Sequence, residues 1–180
     1  MRESIEKLAR REKLSLNHVI NIALAGYAEW GGIYQSLGLA TMSKRLLREL
    51  FANLSEERAR ELGRENGLEE AATLVMFWCR RFDLESVLRT FGGILGRYSG
   101  AFAFEHSREG RLNIVVLRHD MGRNASAYYS EYARSVCGLL GMECSVVESE
   151  AQVVIHAVEP PISPVVPVPD GALASAMPRS

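Results

Sequence analysis

Proline is absent from the first 159 residues of this 180-residue chain; all six prolines lie between Pro160 and Pro178. Pro160-Pro161 and the stretch Pro164-Val165-Val166-Pro167-Val168-Pro169 can neither continue a helix nor donate in a central strand, because the ring fixes φ and removes the amide proton. The folded body is therefore expected to end near Val158, with residues 159–180 forming a Pro-rich, disordered tail. Upstream of that tail no proline punctuates the text. Element ends must be read from caps, glycines and changes of hydrophobic period.

The first such break is Gly31-Gly32. Before it, Ile5, Leu8 and Ala9 mark one amphipathic helix, and Val19, Ile20, Ala23, Leu24 and Tyr27 mark a second. Ser15 stands between them as an N-cap, its hydroxyl able to accept from an amide of the next turn. Two short helices bury too little apolar surface to offset the entropy of ordering them, so this module must pack on a second copy or on the rest of the chain. The organisation expected is a helical module over 1–30, a linker over 31–40, a larger domain over 41–158 and the tail.

From Ser43 to Ser99 the text reads as helix. Leu46, Leu47, Leu50 and Phe51 line one face; Ser55, Glu56 and Glu57 open the next helix, and Gly67 is expected to close it. The run Leu74 to Trp78 is apolar on nearly all sides and reads as a buried helix, and Asp83 caps the one that follows, with Val87, Leu88, Phe91 and Leu95. The period then changes from helical to alternating. Ala101 to His106 and Leu112 to His119 read as strands joined across Arg108-Glu109-Gly110, Asp120 to Leu140 as a helix stopped by Gly141, and Cys144 to Glu148 with Val153 to Val158 as a second hairpin. A helical block followed by β-β-α-β-β is the pattern of an α+β domain, with a small antiparallel sheet carrying a helix on one face.

Composition narrows the function classes. A formal charge of -1 excludes a protein coated in basic surface, so any nucleic-acid contact must be local. Cys79, Cys137 and Cys144 are odd in number and widely spaced, which suits thiols in a reducing compartment and implies no disulfide framework. No signal sequence or bilayer-length apolar run is present, and the chain reads as cytoplasmic.

The chemistry-bearing residues are few. His119-Asp120-Met121-Gly122 falls where a strand passes into a helix, a place where free amides can hold a ligand. With His106 on the neighbouring strand it makes the best candidate for a small-molecule pocket, while the alternative reads Asp120 as a helix cap and Gly122 as a tight-turn residue. Cys79, His106, His119, Cys137, Cys144 and His156 lack paired metal-ligand spacing, so no metal is expected, although convergence in space is left open. Gly92-Gly93 with Gly96 lies in a helical pattern, where close packing explains it better than a phosphate loop. Ser99 and Ser126 have no local partner visible in the text, and the chain is read as non-enzymatic, with no cofactor.

The stretch from Glu3 to Trp30 resembles the two helices of ribbon-helix-helix repressors of the Arc/CopG type. The resemblance rests on the Ile5-x-x-Leu8-Ala9 spacing, the Leu14-Ser15-Leu16-Asn17 turn and the run Val19-Ile20-x-x-Ala23-Leu24. It implies a homodimer formed through both helices, with Ser15, Leu16 and Asn17 at the turn that holds a DNA phosphate. The base-reading strand that precedes the first helix in that family has no counterpart here, so either DNA reading is expected of a form extended upstream, or the chain keeps only the dimerising half. Without the family, Lys7, Arg10, Arg11 and Lys13 are equally read as a solvated face beside Glu3, Glu6 and Glu12.

From Leu39 to Val158 the element order and the His119-Asp120-x-Gly122 junction look like the vinyl-reductase-type and haem-NO-binding sensor domains. That likeness implies that Phe77, Trp78, Phe91 and Tyr98 line a cavity, where plain core is the alternative. The expectation is thus a dimeric transcriptional regulator with a sensing or oligomerisation domain. The alternative is a DNA-independent small-ligand sensor or scaffold that dimerises through the same helices.

Overall fold

The computed structural model describes residues 2–31 and 37–161 and divides the chain into two compact units, 1–40 and 41–180. The expected linker falls partly, and the expected disordered tail almost wholly, outside the described residues.

In the first unit, α1 (Arg2–Glu12) and α2 (Leu16–Gly26) are eleven residues each, and a π-helical turn over Tyr27–Gly31 prolongs α2. Helix α1 ends in a reversal at Lys13, which sits at φ 56°. The amides of Lys13 and Leu14 return to the carbonyls of Arg10 and Ala9, at 3.3 and 2.9 Å, which satisfies the last turn of α1. Ser15 then caps α2, its Oγ accepting from the His18 amide at 3.2 Å.

The second unit is α+β. Helices α3 (Lys44–Ala52), α4 (Glu56–Cys79) and α5 (Leu84–Leu88) come first; a π-helical stretch over Arg89–Leu95 joins α5 to the single turn α6 (Gly96–Tyr98). Ser43, Ser55 and Asp83 cap α3, α4 and α5, each side chain accepting the amide three residues on. Strands β1 (Ala103–Glu109) and β2 (Leu112–Arg118), helix α7 (Arg123–Leu139), and strands β3 (Glu143–Glu148) and β4 (Gln152–Val158) follow.

All neighbours in the sheet are antiparallel, in the order β1-β2-β4-β3. Strands β2 and β3 therefore run the same way, α7 crosses between them, and β4 fills the gap. Alternation sets the two faces: Asn113, Val115 and Leu117 of β2 and Val153, Ile155 and Ala157 of β4 are buried and pack under the helices. Val75, Ala71 and Ala72 of α4, with Val136, Cys137 and Leu140 at the end of α7, complete that core. Leu112, Ile114, Val116, Val154 and Val158 line the opposite face and are half-buried.

The structure corrects several expected boundaries. Helix α4 does not stop at Gly67 but runs through it to Cys79, so Leu74 to Trp78 is its last part, not a separate helix. Gly67 serves another purpose. Ala59, Gly63, Gly67 and Ala71 recur every four residues as a buried stripe against α7, and a Cβ at Gly63 would stand 2.2 Å from the Tyr128 carbonyl oxygen. The missing side chains let two helix backbones approach closely.

Among the other glycines, Gly92 and Gly96 give room to Phe104 of β1, so the close packing there is of helix on strand. Strand β1 runs to Glu109, and the hairpin turn is Gly110-Arg111, with Gly110 at φ 62° as a two-residue turn requires at its first central position. Beyond Val158, Glu159 is still tied to the sheet. The Glu159 carboxylate accepts from Asn113 at 2.9 Å and pairs with Arg108 at 2.8 Å.

Candidate functional site

The junction from β2 into α7 brings together residues that a ligand reading would use. His119 follows directly on β2 and its amide donates to the Ala151 carbonyl at 2.9 Å. Its ring is buried beside Tyr129, with centroids 5.4 Å apart. The Met121 amide lies 3.3 Å from Nδ1, and Ser126 Oγ, fully buried in the first turns of α7, lies 3.0 Å from Nε2.

Donor logic fixes what this pair can do. An amide only donates, so Nδ1 must accept and the proton sits on Nε2, which donates to Ser126 Oγ. A base that activates a serine needs the reverse, with Nε2 free to take the hydroxyl proton. In this tautomer the pair is a brace that ties strand end to helix start. Burial keeps the imidazole below its ordinary range, against the smaller pull of Asp120 in the other direction.

Asp120 is not the cap of α7. Gly122 occupies the N-cap position at φ 85°, in a conformation that side-chain-bearing residues rarely adopt, and makes no side-chain cap bond. The Asp120 carboxylate instead meets Arg48 of α3, with Nη2 at 2.6 Å from Oδ2 and Nε at 2.7 Å from the backbone carbonyl. Asn124 holds the other end of α3 through the carbonyls of Phe51 and Leu54, at 3.1 and 2.8 Å. The His-Asp-x-Gly junction thus anchors α3 on one side and α7 on the other.

His106 stands elsewhere. It lies opposite Val115, four residues along β2 from His119, a separation of about 13 Å at the rise of a strand. There its Nε2 meets the buried Asn113 Oδ1 at 3.0 Å. Asn113 completes its bonding through Glu159, and this polar group closes the far end of the sheet. The two histidines are thus held in separate hydrogen-bonded groups. Among the described residues, no three His, Cys, Asp or Glu side chains gather as metal ligands.

Aromatic side chains pack in a run along α7. Phe91 meets Tyr132 edge-on at 5.6 Å, Phe102 meets Tyr129 at 5.6 Å, and Phe51 tilts onto Tyr128 at 5.6 Å. Burial raises all three tyrosine hydroxyls above their usual range. Of the four residues expected around a cavity, Phe91 belongs to this run, Phe77 stacks edge-on against Trp78 at 5.4 Å, and Tyr98 lies under the Arg97 guanidinium.

In the first unit, Ser15 Oγ is engaged by the His18 amide, and the Ser15 carbonyl accepts from Val19 at 3.1 Å. The amides of Leu16 and Asn17 stand at the helix start, where no preceding turn supplies acceptors. Arg10 and Arg11 lie in the last turn of α1 and Lys13 in the reversal, so three cations precede that helix start directly. Arg11 is paired with Glu12 at 2.9 Å. No family model, curated protein or solved structure matches this chain. Among the described residues no helix is long and apolar enough to cross a membrane.

Proposed function

We propose that this chain is a homodimeric, cytoplasmic transcriptional regulator, assembled through α1 and α2 and carrying an α+β domain that senses or oligomerises. The observation that carries the reading is the apolar surface of the first unit. Leu8, Leu14, Ile22, Leu24 and Tyr27 are all exposed, Leu24 at 62% and Tyr27 at 68%, while Ala9 and Val19 are the buried residues of α1 and α2. A pair of eleven-residue helices with its larger apolar side chains in water has too little core to hold itself together. A second copy supplies what is missing, as it does in the ribbon-helix-helix proteins that this segment resembles.

Within that reading, Ser15, Leu16 and Asn17 at the start of α2 take a DNA phosphate, with Arg10 and Lys13 adding local positive charge. These contacts position the protein and carry no base readout. The test has two parts. Light scattering on the full chain should give a dimer, and Leu24→Glu should give a monomer whose second unit stays folded; a monomeric wild-type chain would overturn the reading. Retention on duplex DNA should fall steeply with salt and weaken in Lys13→Ala. A dimer with no salt-dependent retention would remove DNA and leave only the assembly.

A further inference from the structure

The end of α7 and the start of β3 bring two free cysteines into one layer of the core. Helix α7 closes in a hydrogen-bonded reversal. The Met142 amide returns to the Cys137 carbonyl at 2.9 Å, the Gly141 amide to the Gly138 carbonyl at 3.0 Å, and Gly141 adopts φ 65°. The chain therefore re-enters the sheet directly after the last helical turn. Cys144 lies opposite Ala157, whose side chain is in the core, so its own side chain also points to the helix-covered face. Cys137, on the buried side of α7, belongs to the same core cluster, and Cys144 packs against it.

Neither thiol is in a disulfide, and each stands close enough to the other to shift its titration. We propose that Cys137 and Cys144 form an oxidisable dithiol, a site of reversible modification that closes to an intramolecular disulfide when the protein meets a peroxide.

The roles of the two sulfurs are unequal. Cys144 sits half-buried on the edge strand β3, within reach of a small oxidant, whereas Cys137 is buried. The neighbouring Cys137 lowers the Cys144 thiol, aided by the positive charge of Arg134 and opposed by burial. The same pairing, with burial, pushes Cys137 up. Cys144 is therefore the attacking sulfur. Its thiolate takes the terminal oxygen of hydrogen peroxide; the O–O bond breaks, hydroxide leaves and Cys144 becomes a sulfenic acid. Cys137 then attacks that sulfur, the S–O bond breaks, and hydroxide carries off the Cys137 proton as water. Two thiols and one peroxide give one disulfide and two waters.

Cys79 provides the internal contrast. Its sulfur lies 3.8 Å from the Ser86 carbonyl, to which the thiol donates weakly, and 3.7 Å from Thr90 Oγ1, a hydroxyl able to donate to the sulfur, in the corner where α4 meets α5 and the stretch after it. This inference is independent of DNA binding and of dimerisation.

The experiment uses the full chain, reduced, desalted and exposed to one equivalent of hydrogen peroxide, then alkylated under denaturing conditions and weighed intact. The expected product carries one alkyl group, where the reduced control carries three. Cleavage after Glu131, Glu143 and Glu148 separates the two cysteines, so a linked pair of peptides, 132–143 with 144–148, identifies the bond. Reduction should restore all three alkylation sites. Cys137→Ser should leave a sulfenic acid on Cys144 that a cyclic dione traps, and Cys144→Ser should leave Cys137 unreacted. Three alkyl groups after peroxide, unlinked peptides with Cys144 oxidised further, or faster loss of Cys79 would each overturn the proposal.

Discussion

Replacing Gly63 with alanine tests the α4/α7 contact on which the second unit is built. In an open helix this change stabilises by about 1 kcal/mol, because alanine loses less backbone entropy than glycine. Here the new Cβ would stand 2.2 Å from the Tyr128 carbonyl oxygen and 2.9 Å from its carbon, where ordinary contact begins near 3.4 Å. Those are backbone atoms and cannot rotate aside. The helices must part, and the same displacement loosens Gly67 against Tyr132 and Ser135, where the fit is also close. A gap of about 0.5–1 Å forfeits a quarter to a half of each contact's dispersion energy, and overpacking of this kind costs roughly 1–3 kcal/mol, occasionally more. Gly63→Ala is therefore expected to lower stability by about 1–3 kcal/mol, and Tm by roughly 4–12 °C.

The control lies on the partner helix. Gly138 has nothing within 4 Å of where a Cβ would stand, so Gly138→Ala should gain up to about 1 kcal/mol. Urea unfolding followed by circular dichroism measures both, with an unchanged slope confirming that the same surface unfolds. A Gly63→Ala protein as stable as wild type, beside a stabilised Gly138→Ala, would show that α4 and α7 are not packed backbone to backbone.

Further outcomes follow from the site. His119 titrates near 6.5 when unfolded and lower when folded, so the unfolded chain takes up a proton first as pH falls; the contribution is whole above that pH and is lost below it. Urea midpoints should fall more steeply between neutral and acid pH for wild type than for His119→Gln, and equal slopes would refute the brace. Asp83 accepts the Ser86 amide at 2.8 Å, so Asp83→Ala should cost about 1 kcal/mol by the same measurement, and Asp83→Asn much less. Leu24→Glu should give the monomer described above without lowering the urea midpoint of the second unit.

Local chemistry was the most readable part of the fold. Ser15, Ser55 and Asp83 announce three helix starts because a cap is written within four residues, and Gly141 announces the end of α7 for the same reason. The alternation of Val115, Leu117, Val153, Ile155 and Ala157 likewise states two half-covered strands, and from them the α+β class. Gly67 misled because a glycine after an amphipathic stretch means either a stop or a close approach, and the deciding fact lies on α7. The spacing of Ala59, Gly63, Gly67 and Ala71 at every fourth residue was the available signal.

The site was harder to read because its partners are set by register and by a tight junction rather than by sequence spacing. The text sets His106 beside His119 on adjacent strands, but the pairing of His106 with Val115 puts it four residues away, at Asn113's end of the sheet. Ser126 had no partner in the text, because its partner lies seven residues back across the glycine turn at Gly122. Only the fold reveals that His119 faces a donor on one nitrogen and a hydroxyl on the other. That arrangement assigns the junction to holding α7 in place, and it moves the weight of the functional argument to the apolar helices of the first unit.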